Sequence, residues 1–172
     1  MSAEKPPLVG VIMGSNSDLD IMQAAPDALE LFDVPYEVRI ISAHRTPDEM
    51  RDYAQTARKR GIRLIIAGAG GSAHLQGMTA VFADVPVLAV PIKRDNHDHE
   101  ALWSNIKMPK GAPLATFPEN GAYNAGLFAV EMLAMNDETL FDKYHDFREK
   151  QRQDVIALDA QVQEDWRGHI PS

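Results

Sequence analysis

Short apolar runs alternate with segments of helical periodicity along most of this chain, and this alternation restricts the fold more than any other feature. Residues 8–13 form an apolar run that ends at Gly14, which is typical of a strand buried on both faces. Further strands are predicted at residues 36–41, 63–67, 86–90 and, as a short fifth, 113–116. Strands that alternate with helices predict an α/β fold, a three-layer sandwich with a parallel, doubly wound sheet.

The first two helices carry recognisable signals. Apolar residues recur at helical spacing across residues 19–32, where Pro26 is expected to kink or split the helix because it has no amide proton. Thr46 with Glu49 three residues later predicts a capping box, and the helix that begins there is expected to end at residue 60, before Gly61.

Three more helices are predicted further along the chain. One begins at residues 72–74 and ends before Asp84, one spans 121–135, and a long one spans 137–166 with a single apolar stripe. The polar residues 93–100 are predicted to form a loop. We expect a single domain over residues 1–172, with a core at about 8–135 and the C-terminal helix at about 137–166.

Composition narrows the classes of function. The chain of 172 residues has no cysteine, which excludes disulfides, a thiolate zinc site and a cysteine nucleophile. Its net charge of −8 argues against nucleic acid or an anionic membrane as partner. Residues 1–7 do not resemble a signal peptide, and no run approaches the roughly 20 apolar residues of a membrane helix. We therefore expect a soluble cytoplasmic protein.

Unusual segments follow the first three predicted strands. The carboxyl ends of parallel strands form the usual ligand site of such folds, so these loops are expected to share one pocket. In the first loop, residues 14–18, Ser15 and Ser17 with inward-facing amides would suit an anion such as phosphate. Ordinary helix capping by serine and Asp18 explains the same residues equally well.

The second loop, residues 42–46, places a histidine directly at a strand end. An imidazole titrates near pH 6.5 and both gives and takes protons, so His44 is a candidate acid–base group. Arg45 offers a planar fork for phosphate or carboxylate. The alternative is a histidine satisfied by the backbone and an arginine in a surface ion pair.

The third loop has three glycines within residues 68–71, which allow the backbone to approach a ligand closely. It lacks the lysine of a P-loop and the acidic partner of a dinucleotide fingerprint. His74 follows, and it is more simply interpreted as orienting the loop than as a second catalytic group. Residues 97–100 match no metal-ligand spacing, and the chain has no nucleophile elbow, so neither a metal site nor a serine hydrolase is expected.

These segments together resemble the class I N5-carboxyaminoimidazole ribonucleotide mutases. The resemblance covers about residues 8–133 and is carried by Val-Ile-Met-Gly-Ser-x-Ser-Asp at 11–18, Ser-Ala-His-Arg-Thr-Pro at 42–47, Ile-Ile-Ala-Gly-Ala-Gly-Gly-x-Ala-His-Leu-x-Gly-Met at 65–78, Met-Pro at 108–109, and Gly-Ala-x-Asn-Ala-Gly-Leu at 121–127. It implies a flavodoxin-like sheet, a homo-octamer with sites shared between subunits, and no cofactor or metal.

The resemblance also implies a reaction and its residues. A carboxylate moves from an exocyclic nitrogen to ring carbon four of a small ribonucleotide in purine biosynthesis, with His44 as proton shuttle. The implied substrate-binding residues are Ser15, Ser17, Asp18, Arg45, Gly70, Gly71, Ser72, Ala73, His74 and Leu75.

The chain departs from the family pattern at Ser72, at Gln76, where the family has a proline, and across residues 93–104. Two alternatives remain open. One is the class II carboxylase, which uses carbon dioxide directly but carries lysine at the position of Arg45. The other is a non-catalytic nucleotide-binding homologue.

Overall fold

Five parallel strands form the central sheet of the computed structural model, which describes residues 6–94 and 99–167. The strands are β1 (Val9–Met13), β2 (Tyr36–Ile40), β3 (Leu64–Gly70), β4 (Val87–Ile92) and β5 (Ala115–Thr116). Their order is β2-β1-β3-β4-β5. The chain reverses its direction of travel across the sheet between β1 and β3, which creates a crevice at the carboxyl ends of these strands. The predicted parallel, flavodoxin-like α/β fold is confirmed.

Helices cover both faces of the sheet. They are α1 (Leu19–Met22), α2 (Ala24–Glu30), α3 (Pro47–Thr56), α4 (His74–Phe82), α5 (Glu100–Ile106), α6 (Ala122–Ala134) and α7 (Glu138–Asp165). None of the helices within the described residues is both long and apolar enough to cross a bilayer.

Strand β1 is fully buried and contributes side chains to two separate hydrophobic cores. Val11 and Met13 belong to the core shared with α2 and α6, whereas Ile12 belongs to the core shared with α3 and α4. Successive side chains of a strand point to opposite faces, so a strand between two helical layers needs apolar residues throughout. This burial fixes β1, and therefore the loop that follows it, at the centre of the molecule.

Pro26 divides the first predicted helix as expected. Helix α1 ends at Met22 and α2 begins at Ala24, with Gln23 between them. The expected capping box is wrong, however, because the Thr46 hydroxyl makes no cap hydrogen bond. It accepts instead from the backbone N–H of Ser42 at 2.9 Å and donates to the Ser42 carbonyl at 3.1 Å. Thr46 thus closes the second loop.

Two further boundaries differ from the sequence prediction. The α-helical part of α3 ends at Thr56, and the chain continues as a 3₁₀ turn before Gly61, whose φ is 97°. Strand β3 runs to Gly70 rather than ending at residue 67, because Gly68 to Gly70 pair with β4. Gly68 is required there, since a Cβ atom would lie 2.1 Å from the Met22 sulfur.

The polar segment at residues 93–100 was predicted as a loop. Residues 95–98 lie outside the described residues, and α5, which begins at Glu100, was not predicted. The long C-terminal helix is confirmed as α7, and Asp137 caps it by accepting from the backbone N–H of Leu140 at 3.0 Å.

Candidate active site

A cleft of about 760 Å³ opens at the carboxyl ends of β1, β2, β3 and β4. Each of these strands contributes the loop or residue that follows it. The lining residues are Gly14, Ser15, Asp18, Ser42, Ala43, His44, Arg45, Ala69, Gly70, Gly71, Ser72, Ala73, His74, Leu75 and Arg94. The three unusual loops therefore share one pocket, at the switch point of the sheet.

Two histidines face each other in this cleft. His44 Nε2 and His74 Nδ1 are 2.8 Å apart, and the rings meet edge to face with their centroids 5.0 Å apart. At this distance one nitrogen donates and the other accepts, so a single proton lies between them. Both side chains are exposed at the mouth of the cleft. The contact fixes the orientation of the His44 ring and leaves its other nitrogen unengaged in this pair.

Arg45 is anchored against the first loop. Its Nη2 donates to the Gly14 carbonyl at 2.8 Å, and its backbone N–H donates to the Ser42 hydroxyl at 3.2 Å. The guanidinium of Arg45 has five donors in a fixed plane, and two of them are used, since Nε also donates to the Ser42 hydroxyl at 3.4 Å. Arg45 thus brings a fixed positive charge to the cleft beside His44.

Asp18 lies almost completely buried at the base of the first loop, with its side chain 3% exposed. Burial raises the pKa of this carboxyl, while Arg94, the backbone N–H groups of Ser15 and Gly14, and Arg45 act in the opposite direction. Two amides of the expected anion cradle therefore face the protein's own carboxylate. An external anion at this loop needs side-chain donors.

Arg94 reaches the cleft from the end of β4. Its Nη2 contacts the Asp18 carboxylate and donates to the Ser17 hydroxyl at 3.2 Å. The side chain lies along Gly70, where a Cβ atom would be 2.8 Å from Arg94 Nε and 3.0 Å from the Ile92 carbonyl. The glycine at position 70 leaves the space that this arginine fills.

The third loop turns sharply after β3. Gly71 has φ of 60° and Ala73 has φ of 45°, so both adopt the left-handed conformation. For alanine this conformation carries a cost of about 1 kcal/mol or more, which indicates that the surrounding structure holds the turn. Gln76 supports it from below: its side chain is fully buried, and its Nε2 donates to the carbonyls of Ala69 and Val90 at 3.2 and 3.1 Å.

The structure brings together nearly all of the residues singled out from the sequence. The exception is Ser17, which is exposed and does not line the cleft. Its hydroxyl accepts from Arg94, and its backbone N–H donates to the Ser15 hydroxyl. Sequence reasoning missed Arg94. The available signal was its position two residues after the end of the buried strand β4, at the same edge of the sheet as His44.

Metal ligation finds no support within residues 6–94 and 99–167, where no group of three or more potential ligands occurs. His97 and Asp98, which belong to the segment 97–100 that was weighed as a metal site from the sequence, lie outside the described residues. His99 contacts Glu119 at 2.7 Å, between Nδ1 and Oε2.

Comparisons with known proteins identify the family to which the chain belongs. Residues 8–154 match the family model described as AIR carboxylase. The N5-carboxyaminoimidazole ribonucleotide mutase of Synechocystis sp. is 48% identical over 164 residues, which cover 95% of this chain and 92% of that protein. The mutase of Bacillus subtilis is 48% identical, with 91% and 98% covered.

Some relatives are longer. The phosphoribosylaminoimidazole carboxylase of Candida glabrata is 49% identical over 91% of this chain, but the match spans only 28% of that protein. Among solved structures, Treponema denticola PurE matches with a TM-score of 0.80 and 29% identity, over 91% of this chain and 98% of that one.

Proposed function

The chain belongs to the AIR carboxylase family, and we propose that it is an isomerase that moves the carboxylate of N5-carboxyaminoimidazole ribonucleotide from the exocyclic nitrogen to ring carbon four, in purine biosynthesis. One observation carries the proposal most directly. His44 is held at the mouth of a cleft that Gly14, Ser15 and Asp18 also line, with Arg45 beside it.

In the proposed mechanism His44 handles one proton twice. It protonates the exocyclic nitrogen as the bond between nitrogen and carboxylate breaks, which yields carbon dioxide and aminoimidazole ribonucleotide. Ring carbon four then attacks the carbon dioxide, and His44 removes the proton from that carbon. No proton is gained or lost overall, so one imidazole suffices as acid and base.

The contact between His44 and His74 supports this role. It holds the catalytic ring in one orientation and provides a second nitrogen that shares the proton. We propose His74 as the residue that positions His44. The remaining lining residues would enclose the ring and the carboxylate, namely Gly70, Gly71, Ser72, Ala73 and Leu75.

Substrate binding is proposed for the first two loops. Arg45 and the hydroxyl of Ser15, which line the cleft, would hold the phosphate, and the buried carboxylate of Asp18 would accept from a sugar hydroxyl. The enamine of the aminoimidazole supplies the electrons for carboxylation, so the reaction needs no electron sink from a metal or organic cofactor. Enclosure and orientation are what the protein contributes.

Direct carboxylation of aminoimidazole ribonucleotide is the second candidate, because longer relatives from Candida glabrata, Saccharomyces cerevisiae and Vigna aconitifolia are named phosphoribosylaminoimidazole carboxylase. The match covers 27–30% of each of those proteins. The mutases match over almost their whole length. Arg45, where the class II carboxylases carry lysine, also favours the mutase.

We further propose a homo-oligomer, an octamer by the resemblance, located in the cytoplasm. Large apolar side chains on α4, α5 and the second half of α7 are exposed in the single chain: Val81, Ile106, Val155, Leu158 and Val162. Burial of such surfaces against other copies would remove this apolar area from water. Light scattering on the purified protein would measure the mass of the assembly.

The function is tested by replacing His44. The wild type is expected to convert the carboxylated ribonucleotide, whereas His44→Asn is expected to lose about 10²–10⁴-fold in kcat, the usual contribution of a positioned acid–base group. His145→Asn is a matched control, because His145 lies on α7 and is not among the residues that line the cleft. Equal turnover by His44→Asn would remove His44 from the mechanism, and absence of turnover by the wild type would refute the proposed function.

A further inference from the structure

Arg94 is the residue of the cleft that the sequence motifs do not account for. It extends from the end of β4, opposite the loop that carries Arg45, and contacts both Ser17 and Asp18. The two arginines therefore flank the same loop: Arg45 binds the carbonyl of Gly14, and Arg94 binds the other end.

The donors of Arg94 are only partly engaged. Within the described part of the chain its hydrogen bonds involve Nη2 alone. The side chain is 38% exposed and lines the cleft. Because a guanidinium carries five N–H donors in a plane, donors remain for a ligand that enters the cleft.

Arg94 shifts the charge balance of the loop in favour of an anion. Asp18 and Arg45 have opposite charges that cancel, and a buried carboxylate repels a phosphate beside it. Arg94 changes the sum of the three groups to +1. In addition, the amides of Ser15 and Gly14 face the Asp18 carboxylate, so an incoming phosphate depends on the side-chain cations.

Gly70 gives Arg94 its route into the cleft. A Cβ atom at this position would lie 2.8 Å from Arg94 Nε and 3.1 Å from its Cγ. Such contacts would push the arginine away from the loop.

From these contacts we propose that Arg94 is a substrate-binding residue that, together with Arg45, holds the phosphate of the ribonucleotide. This inference rests on the proposed function for the identity of the ligand. It also gives a role to one residue of the segment that departs from the family pattern, because Arg94 brings a second guanidinium to the phosphate.

Binding of ribose 5-phosphate, measured by calorimetry, tests the proposal without any requirement for turnover. Arg94→Gln is expected to weaken binding at least about tenfold, whereas Arg94→Lys, which keeps the charge, retains more of the affinity. Affinity should also depend less steeply on ionic strength in Arg94→Gln, because one charge fewer takes part. A purely structural role would leave that dependence unchanged. Arg152→Gln on the exposed part of α7 is the matched control and should bind like the wild type.

Gly70→Ala is a second, independent substitution that is expected to lower the affinity for ribose 5-phosphate. It is expected to weaken ribose 5-phosphate binding in the wild type and to have a smaller effect in Arg94→Gln, because the guanidinium that would be displaced is then already absent. Equal affinity or an equal salt dependence in Arg94→Gln would overturn the proposal, and so would a wild type that does not bind the probe. Binding that depends on Arg94 without turnover of the carboxylated ribonucleotide would refute the proposed function and leave this phosphate site standing.

Discussion

Replacing Gln76 by glutamate tests how the ends of β3 and β4 are held together beneath the cleft. The Gln76 side chain is fully buried and donates from Nε2 to the carbonyls of Ala69 and Val90, while its Oε1 has no hydrogen-bond partner among the residues that the structure describes. Gln76→Glu keeps the shape but replaces the donor by an oxygen that faces two carbonyl acceptors. The introduced group is then either an unpaired buried carboxylate or a neutral acid that donates only once.

The expected loss in the free energy of unfolding is worked out for the neutral acid, which is the less costly of the two forms. An unfolded glutamate has a pKa near 4.3, so keeping it protonated at pH 7 costs about 3.7 kcal/mol. One lost hydrogen bond adds about 1 kcal/mol. The total of about 4–5 kcal/mol is a large part of the 5–15 kcal/mol stability of a typical domain. Because the folded pKa of the introduced carboxyl lies above the unfolded one, stability is recovered as the pH falls toward 4.3.

Urea denaturation at pH 7 and at pH 5 measures this effect. Gln76→Met keeps a similar volume but has neither donor nor charge, and it is expected to cost about 1–3 kcal/mol at both pH values. Gln161→Glu on the exposed part of α7 is expected to change stability by less than about 0.5 kcal/mol. If Gln76→Glu and Gln76→Met lose the same free energy of unfolding at both pH values, the bridging role of Gln76 is refuted.

Two other substitutions are expected to change the free energy of unfolding in a known direction. Gly68→Ala is expected to lower the free energy of unfolding by about 1–3 kcal/mol, because its Cβ would meet the buried Met22 sulfur. Met22→Ala should reduce that loss in the double variant, and additive losses in urea denaturation would contradict the contact. Burial raises the pKa of Asp18, so the folded state binds a proton at this carboxyl more readily than the unfolded chain does. The wild type should therefore gain stability relative to Asp18→Asn as the pH falls toward about 4. A constant difference in the free energy of unfolding between the two proteins from pH 7 to pH 4 would refute the raised pKa.

Strand and helix positions were largely predictable because their signals are local. The run at residues 8–13 is apolar throughout, and β1 is buried on both faces as this pattern requires. A similar local signal located His44, since polar residues that follow a strand lie at the carboxyl edge of a parallel sheet, although β2 itself is only partly buried. Pro26 divided the first helix for a reason that depends only on proline chemistry.

What the sequence did not reveal depends on contacts between distant residues. Thr46 has the sequence of a helix cap, yet its hydroxyl binds the backbone of Ser42, a competition that only the folded loop decides. Gly70 was interpreted as room for a ligand, whereas in the structure it is room for Arg94. Gln76 was seen only as a departure from a family proline, because its two acceptors lie on different strands.

The fate of the carboxylate carbon tests the proposed rearrangement most directly. The wild type would receive N5-carboxyaminoimidazole ribonucleotide with an isotopically labelled carboxylate in buffer that contains unlabelled bicarbonate, and the product would be analysed by mass spectrometry. If carbon dioxide stays in the cleft between release and recapture, most of the product retains the label. Product whose carboxylate comes from the bicarbonate of the buffer would contradict the mutase and support direct carboxylation.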